Sequence, residues 1–179
     1  PRIDKARMRD RFFIAACLLI VTLGMVTVAF PEGASSILVV LVLASIGIFI
    51  FRRFTDEKEF ITTIFLGALL VRLSFGIVIH VLDLRDFFGA DANTYDFNGW
   101  RLVEYWQGQI STDDMALQRA WSTAGPGWGM NYLVAGIYYL IGKNIFAAQS
   151  FCAVFGAATA PMIYFCAAQM FNNKRVAKI

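Results

Sequence analysis

The sequence predicts an all-α, polytopic integral membrane bundle, and three observations carry that reading. Of the 179 residues 58% are apolar, and the mean hydropathy of +0.59 lies outside the range of ordinary soluble domains. Several apolar runs approach the roughly 20 residues a helix needs to cross about 30 Å of hydrocarbon. After three such runs comes one long polar stretch, residues 83–126. The expectation is a bundle of about five spans with an amphipathic helix in an extracytoplasmic loop.

The N-terminal tail holds Arg2, Lys5, Arg7, Arg9 and Arg11 against Asp4 and Asp10. The net charge of +3 comes largely from this tail, so it bears on membrane topology and not on nucleic acid. The first apolar run, Phe12 to Phe30, exceeds a signal-peptide core and lacks a clean small-x-small cleavage site. It reads as a retained span with its basic flank in the cytoplasm. Residues 31–35 (PEGAS) form a tight break, and a second span follows from Ser36 to Phe51. Arg52, Arg53 and Lys58 mark the return to the cytoplasm. Residues 1–59 are therefore a basic tail and a transmembrane hairpin.

The third run, Phe60 to Leu82, carries Arg72 near its centre. A charge there costs roughly 2.5–3.5 kcal/mol on insertion scales, so it should face protein or water and find a partner. It serves either as a structural intramembrane charge in a buried pair or as a ligand contact. His80, the one histidine, suits the interface better than catalysis.

The stretch 83–126 holds three arginines (Arg85, Arg101, Arg119) against seven acids, as expected of an extracytoplasmic segment. Its length and two helical patterns make it a folded loop. A helix opening near Ala92 puts Tyr95, Gly99, Leu102, Val103 and Trp106 on one apolar stripe, with Asp91 one turn ahead after a flexible Phe88-Gly89-Ala90 lead-in. Ser111 to Asp114 open the second pattern with an N-cap signal, and Met115, Leu117, Ala120 and Trp121 supply its apolar contacts. Trp100, Tyr105, Trp106, Trp121 and Trp128 suit the membrane interface.

Residues 125–129 (GPGWG) lead into a fourth apolar run ending at Ile141. They have neither the Gly-Lys-Ser/Thr nor the preceding strand of a phosphate loop. The fifth run, Ile145 to Phe171, repeats Cys152, Gly156 and Ala160 at every fourth position beside Ala153 and Ala157. Such a face allows close helix approach in lipid and offers a surface to membrane-protein partners. Pro161 is expected to kink it. Cys17, Cys152 and Cys166 all lie in apolar runs and read as small core residues. Five crossings from a cytoplasmic N-terminus put Lys174, Arg175 and Lys178 outside, against the positive-inside bias. Dominance of the early signals explains that conflict; incomplete crossing by one run is the alternative.

Two stretches carry a family resemblance. One is Asp91 to Tyr95, a D-x-x-x-Y element continuing through Gly99, Leu102, Tyr105, Trp106 and Gly108. The other runs from Gly125-Pro126-Gly127-Trp128 through Leu133, Tyr138, Gly142, Ala147, Ala153, Gly156, Ala157, Tyr164 and Phe171 to Lys174-Arg175. In order and spacing they resemble the GT-C-fold glycosyltransferases that use polyprenyl-phosphate sugars, in the bacterial branch of the protein O-mannosyltransferases and the aminoarabinose transferase of lipid A. Ala92 departs from the acidic pair often found at the loop start, and the family has more spans than these 179 residues hold. The resemblance implies that 60–179 are the N-terminal part of a GT-C module behind an added hairpin, in a longer protein of a bacterial cell membrane.

It also implies a reaction in which a sugar moves from a polyprenyl-phosphate donor in the bilayer to an extracytoplasmic acceptor. Such transfer needs a base for the acceptor nucleophile and a cation for the departing phosphate. Asp91 is the candidate base, since a carboxylate of ordinary pKa is ionised at neutral pH. Its plainer role is a helix N-cap. Tyr95 either orients that carboxylate or sits at the interface. Arg85 and Arg101 are candidates for the phosphate, alongside a guanidinium from elsewhere in the protein. Asp83, Asp86 and Asp96 are expected to be solvated or ion-paired. With a single histidine no zinc site and no cofactor are expected, though a loosely held Mg²⁺ or Mn²⁺ remains compatible with the residues. The alternative function is a non-catalytic membrane subunit that joins a larger assembly through the 145–171 helix.

Overall fold

The computed structural model describes residues 2–28, 32–88, 90–121, 127–174 and 176–178. Eight α-helices follow one another along these residues, without a strand among them. They are α1 (Arg2–Val28), α2 (Glu32–Arg53), α3 (Lys58–Val81), α4 (Arg85–Phe88), α5 (Ala90–Trp106), α6 (Met115–Trp121), α7 (Trp128–Ile141) and α8 (Ile145–Phe171). A short 3₁₀ turn, Val176–Lys178, follows. The chain forms two compact units, Pro1–Ile77 with Gln149–Ile179, and Val78–Ala148.

Three helices, α2, α3 and α8, are long and apolar enough to cross a membrane, which makes this a helical membrane protein. The expected count of five is not supported. In α1 the apolar stretch among the described residues is Phe12–Val26. Helix α7, the expected fourth span, has 14 residues. At 1.5 Å per residue it reaches only about 21 Å. An apolar run of that length suits a core helix better than a span. Its Asn131, Val134, Ala135 and Tyr138 are buried within the second unit.

In the first unit α1 and α2 form the expected hairpin, and α2 starts earlier than the Ser36 the sequence suggested. Helix α2 already begins at Glu32, whose carbonyl accepts hydrogen bonds from the hydroxyls of Ser35 (3.1 Å) and Ser36 (2.8 Å). A Cβ on Gly33 would fall onto the Met25 carbonyl, so the two backbones touch there. Helix α3 buries Ile61, Phe65, Leu69, Leu73 and Gly76, one stripe at helical spacing. Phe65 packs its ring 5.8 Å from that of Phe51 on α2.

Helices α3 and α8 run antiparallel. The Phe60 ring lies tilted 5.3 Å from that of Tyr164, the Arg72 guanidinium lies on Gly156, and Gly76 faces the Gln149 amide. Moving forward along α3 therefore means moving backward along α8. The chain leaves α3 and joins α8 at the same end of this pair. At the other end Lys174 pairs with Asp56 of the α2–α3 connection at 3.7 Å.

Helix α8 continues through Pro161 and buries Ala147, Ser150, Val154, Ala157, Pro161 and Tyr164. Its buried stripe is thus turned away from the expected Cys152–Gly156–Ala160 line: Cys152 is exposed and Gly156 is covered by Arg72. Cys166 is exposed and Cys17 half-buried, so none of the three cysteines is a core residue. In lipid an apolar side chain has no need of the interior, because hydrocarbon solvates it equally well.

Candidate functional site

The second unit is built on α5. Residue Asp83, in the left-handed conformation at φ 51°, closes α3, with the Leu84 amide bonded to the Ile79 carbonyl at 2.9 Å. Phe88, expected in a flexible lead-in, instead ends the helical turn α4; Gly89 lies outside the described residues. Asn93 of α5 donates to Asp86 of α4 at 2.8 Å and ties the two together.

The stripe read from the sequence is largely the buried face of α5. Gly99, Leu102 and Val103 are buried and Tyr95 is half-buried, whereas Trp106 at the end of the stripe is 43% exposed. A Cβ on Gly99 would lie 2.7 Å from Val134 Cγ1 and 3.2 Å from the Ala135 amide nitrogen, so α5 and α7 meet where the glycine leaves room. Leu117 and Ala120 of α6 complete this core, while Met115, expected to join it, is 74% exposed. Within the run Ser111 to Asp114, which carries the expected N-cap signal, the cap is Asp114, whose carboxylate accepts from the Leu117 amide at 2.8 Å. Gly108, at φ 71°, ends α5 with the Gln109 amide on the Glu104 carbonyl at 2.8 Å.

Asp91 is the second residue of α5 and is exposed. Its carboxylate forms no ion pair or hydrogen bond among the described residues. It therefore faces solvent in the first helical turn, where the helix dipole favours a negative charge. Tyr95 shares its face but does not reach it, because the Tyr95 hydroxyl lies against the backbone of Gly127, whose φ is 78°. Gly125 and Pro126 lie outside the described residues.

Neither candidate arginine pairs with Asp91. Arg85 donates to His80 Nδ1 at 2.7 Å, and the His80 ring stands edge-on to Phe146 at 4.8 Å. Arg101 pairs with Glu104 at 2.9 Å and lies 5.3 Å from the centre of the Phe97 ring. Ten residues separate it from Asp91, about 15 Å along the helix. Arg72 belongs to the first unit. Among the described residues no three His, Cys, Asp or Glu side chains converge as a metal site would require.

The strongest polar cluster is one that sequence reasoning missed. Asp96 accepts a hydrogen bond of 2.6 Å from the buried Tyr138 hydroxyl and pairs with Lys143 at 3.5 Å; Lys143 also stands over the Trp100 ring at 5.9 Å. Two residues further on, Asn98 donates to Asn131 at 3.4 Å, and Asn131 donates to the Ala120 carbonyl at 3.2 Å. The sequence allowed Asp96 an ion pair, but its partners lie more than forty residues away and no local spacing signals them. Tyr138→Phe is expected to lower thermal stability in detergent by about 1–3 kcal/mol, because the half-buried Asp96 loses a donor to a charged group. A thermal denaturation series with wild type as reference measures this. The chain matches none of the protein-family models, curated proteins or solved structures with which it was compared.

Proposed function

We propose that the protein is an integral-membrane glycosyltransferase, or the N-terminal part of one, that moves a sugar from a polyprenyl-phosphate donor to an acceptor outside the cytoplasm. One observation carries this reading: a solvent-facing carboxylate, Asp91, opens an amphipathic helix in a polar unit inserted between two antiparallel membrane helices. Asp91 is the base that takes the proton of the acceptor hydroxyl or amine. The D-x-x-x-Y order from Asp91 to Tyr95 supports the same assignment. Tyr95 has a structural part, holding the start of α7 through Gly127. Arg85 and Arg101 would have to leave His80 and Glu104 to bind phosphate, so the cation for the leaving phosphate comes more readily from elsewhere.

The proposed topology has four crossings, α1, α2, α3 and α8, with the N-terminus in the cytoplasm and 83–126 outside. The basic tail, the Arg52–Lys58 connection and Lys174 then share the cytoplasmic side, and the Lys174–Asp56 pair supports placing the last two together. The conflict over the C-terminal lysines disappears once α7 is no longer a span. Cysteines placed at Ser111 and Thr112 should react with a membrane-impermeant thiol reagent on intact cells, and those at Thr55 and Asn173 should not. Reaction at Asn173 alone among the last two would restore the odd number of crossings.

The reaction is tested with membranes containing the full-length protein and a radiolabelled polyprenyl-phosphate sugar, measuring label transferred to extracytoplasmic lipid or protein. Absence of transfer to any acceptor would favour the second reading, a non-catalytic subunit of a membrane assembly. That reading draws on the exposed charge at Arg72 in the middle of α3.

A further inference from the structure

The middle of α3 presents a charge to what should be hydrocarbon. Arg72 is exposed, and no acidic side chain among the described residues pairs with it. Around it the surface is apolar: Val71 is 67% and Phe75 51% exposed on α3, and Phe155 of α8 is 58% exposed. The guanidinium lies over Gly156, with Cζ and Nη1 each 2.7 Å from where a Cβ would stand.

The α3–α8 register fixes its depth. Gly76 faces Gln149 and Phe60 faces Tyr164, so Gly156 lies opposite Ala68 and Leu69, the midpoint of Lys58–Val81. The side chain thus points back along α3, away from its nearer end, as helical side chains do. Its charge is left about 17 Å from either end of the helix. Half the hydrocarbon thickness is about 15 Å, so a lipid headgroup does not reach it. A bare guanidinium at that depth is costly and is normally matched by a carboxylate. These 179 residues have none to offer at that depth: Asp4 and Asp10 of α1 precede its apolar stretch, Glu32 and Glu59 lie in the first turns of α2 and α3, and α8 has no acidic residue. A second copy of these residues therefore brings no carboxylate to Arg72 at the middle of the membrane.

We infer that the α3–α8 face around Arg72 is the docking seam for a transmembrane helix, from outside these 179 residues, that carries an aspartate or glutamate near its own midpoint. Phe75 and Phe155 flank the charge and pack against the incoming helix, while Gly156 lets the guanidinium lie flat in the groove. The inference is independent of the glycosyltransferase reading, since any membrane protein with this face meets the same requirement.

The test is photo-cross-linking in native membranes, with benzoylphenylalanine in place of Phe75 in the full-length protein and the adduct sequenced by mass spectrometry. The expected adduct is an apolar helical peptide with Asp or Glu within about one turn of the cross-linked residue. Arg72→Gln, which retains a side chain able to hydrogen-bond, should lower the adduct yield about tenfold with accumulation unchanged, a loss of about 1.4 kcal/mol in association. Arg72→Glu combined with arginine at the partner's acidic position should restore it. Adducts confined to lipid, a cross-linked helix without an acid, or a yield indifferent to Arg72→Gln would each overturn the inference. So would labelling of the native Cys152, one turn from Gly156, by a charged thiol reagent, because water would then fill the face.

Discussion

Asp91→Asn is expected to accumulate in the membrane like the wild type and to transfer sugar roughly 10²–10⁴-fold more slowly. The substitution keeps the shape of the side chain and removes its ability to accept a proton. Capping does not confound the result. The helix starts at Ala90, so Asp91 stands inside the first turn instead of at the flanking position where an N-cap belongs. What asparagine forfeits structurally is a favourable charge near the helix N-terminus, worth about 0.3–1 kcal/mol at an exposed site. That loss is too small to change accumulation appreciably. Asp113→Asn is the suitable control, since Asp113 is exposed and precedes the capping Asp114. Asp96→Asn is not, because Asp96 is held by Tyr138 and Lys143. Undiminished transfer by the Asp91 variant, with wild type and control active, would remove Asp91 from the reaction and leave the base to be sought elsewhere.

Gly99→Leu is expected to disrupt the second unit as a whole. Even a single added carbon would stand 2.7 Å from Val134 Cγ1 and 3.0 Å from Val134 Cβ. Val134 can yield by turning, but the Ala135 backbone at 3.2 Å cannot. Gly99→Ala should therefore cost about 1–3 kcal/mol, the usual range for overpacking. Combination with Val134→Ala should recover part of it. Leucine adds three more carbons in a place already closed, and α5 must then separate from α7. That separation breaks the Asn98–Asn131 and Asp96–Tyr138 bonds together. The measurement is limited proteolysis of the detergent-solubilised protein, with cleavage of the Gln107–Asp114 connection as the readout. A leucine variant as resistant as wild type would show that the two helices do not meet at Gly99.

Composition and the length of the apolar runs together determined that this is a helical membrane protein, since runs near 20 residues match the thickness of the bilayer core. Local pattern determined the buried face of α5 through Gly99, Leu102 and Val103 and a capped helix start within Ser111–Asp114, because such features depend on neighbours within one or two turns. Which apolar runs form helices long enough to cross a bilayer was decided by the structure: α2, α3 and α8 do. Helix α7 is as greasy as a span, and only its length and its packing against α5 show that it belongs to a folded core. The sequence could place Arg72 at mid-span but not describe its surroundings. The antiparallel register of α3 and α8 brought Gly156 beneath the guanidinium and left the charge on an exposed face. Likewise the Asp96–Tyr138–Lys143 cluster and the seat of Tyr95 on Gly127 join residues far apart in the chain. Hydrophobic periodicity records which side of a helix avoids water, whereas a polar contact depends on which helix lies alongside, and that is settled only when the helices pack.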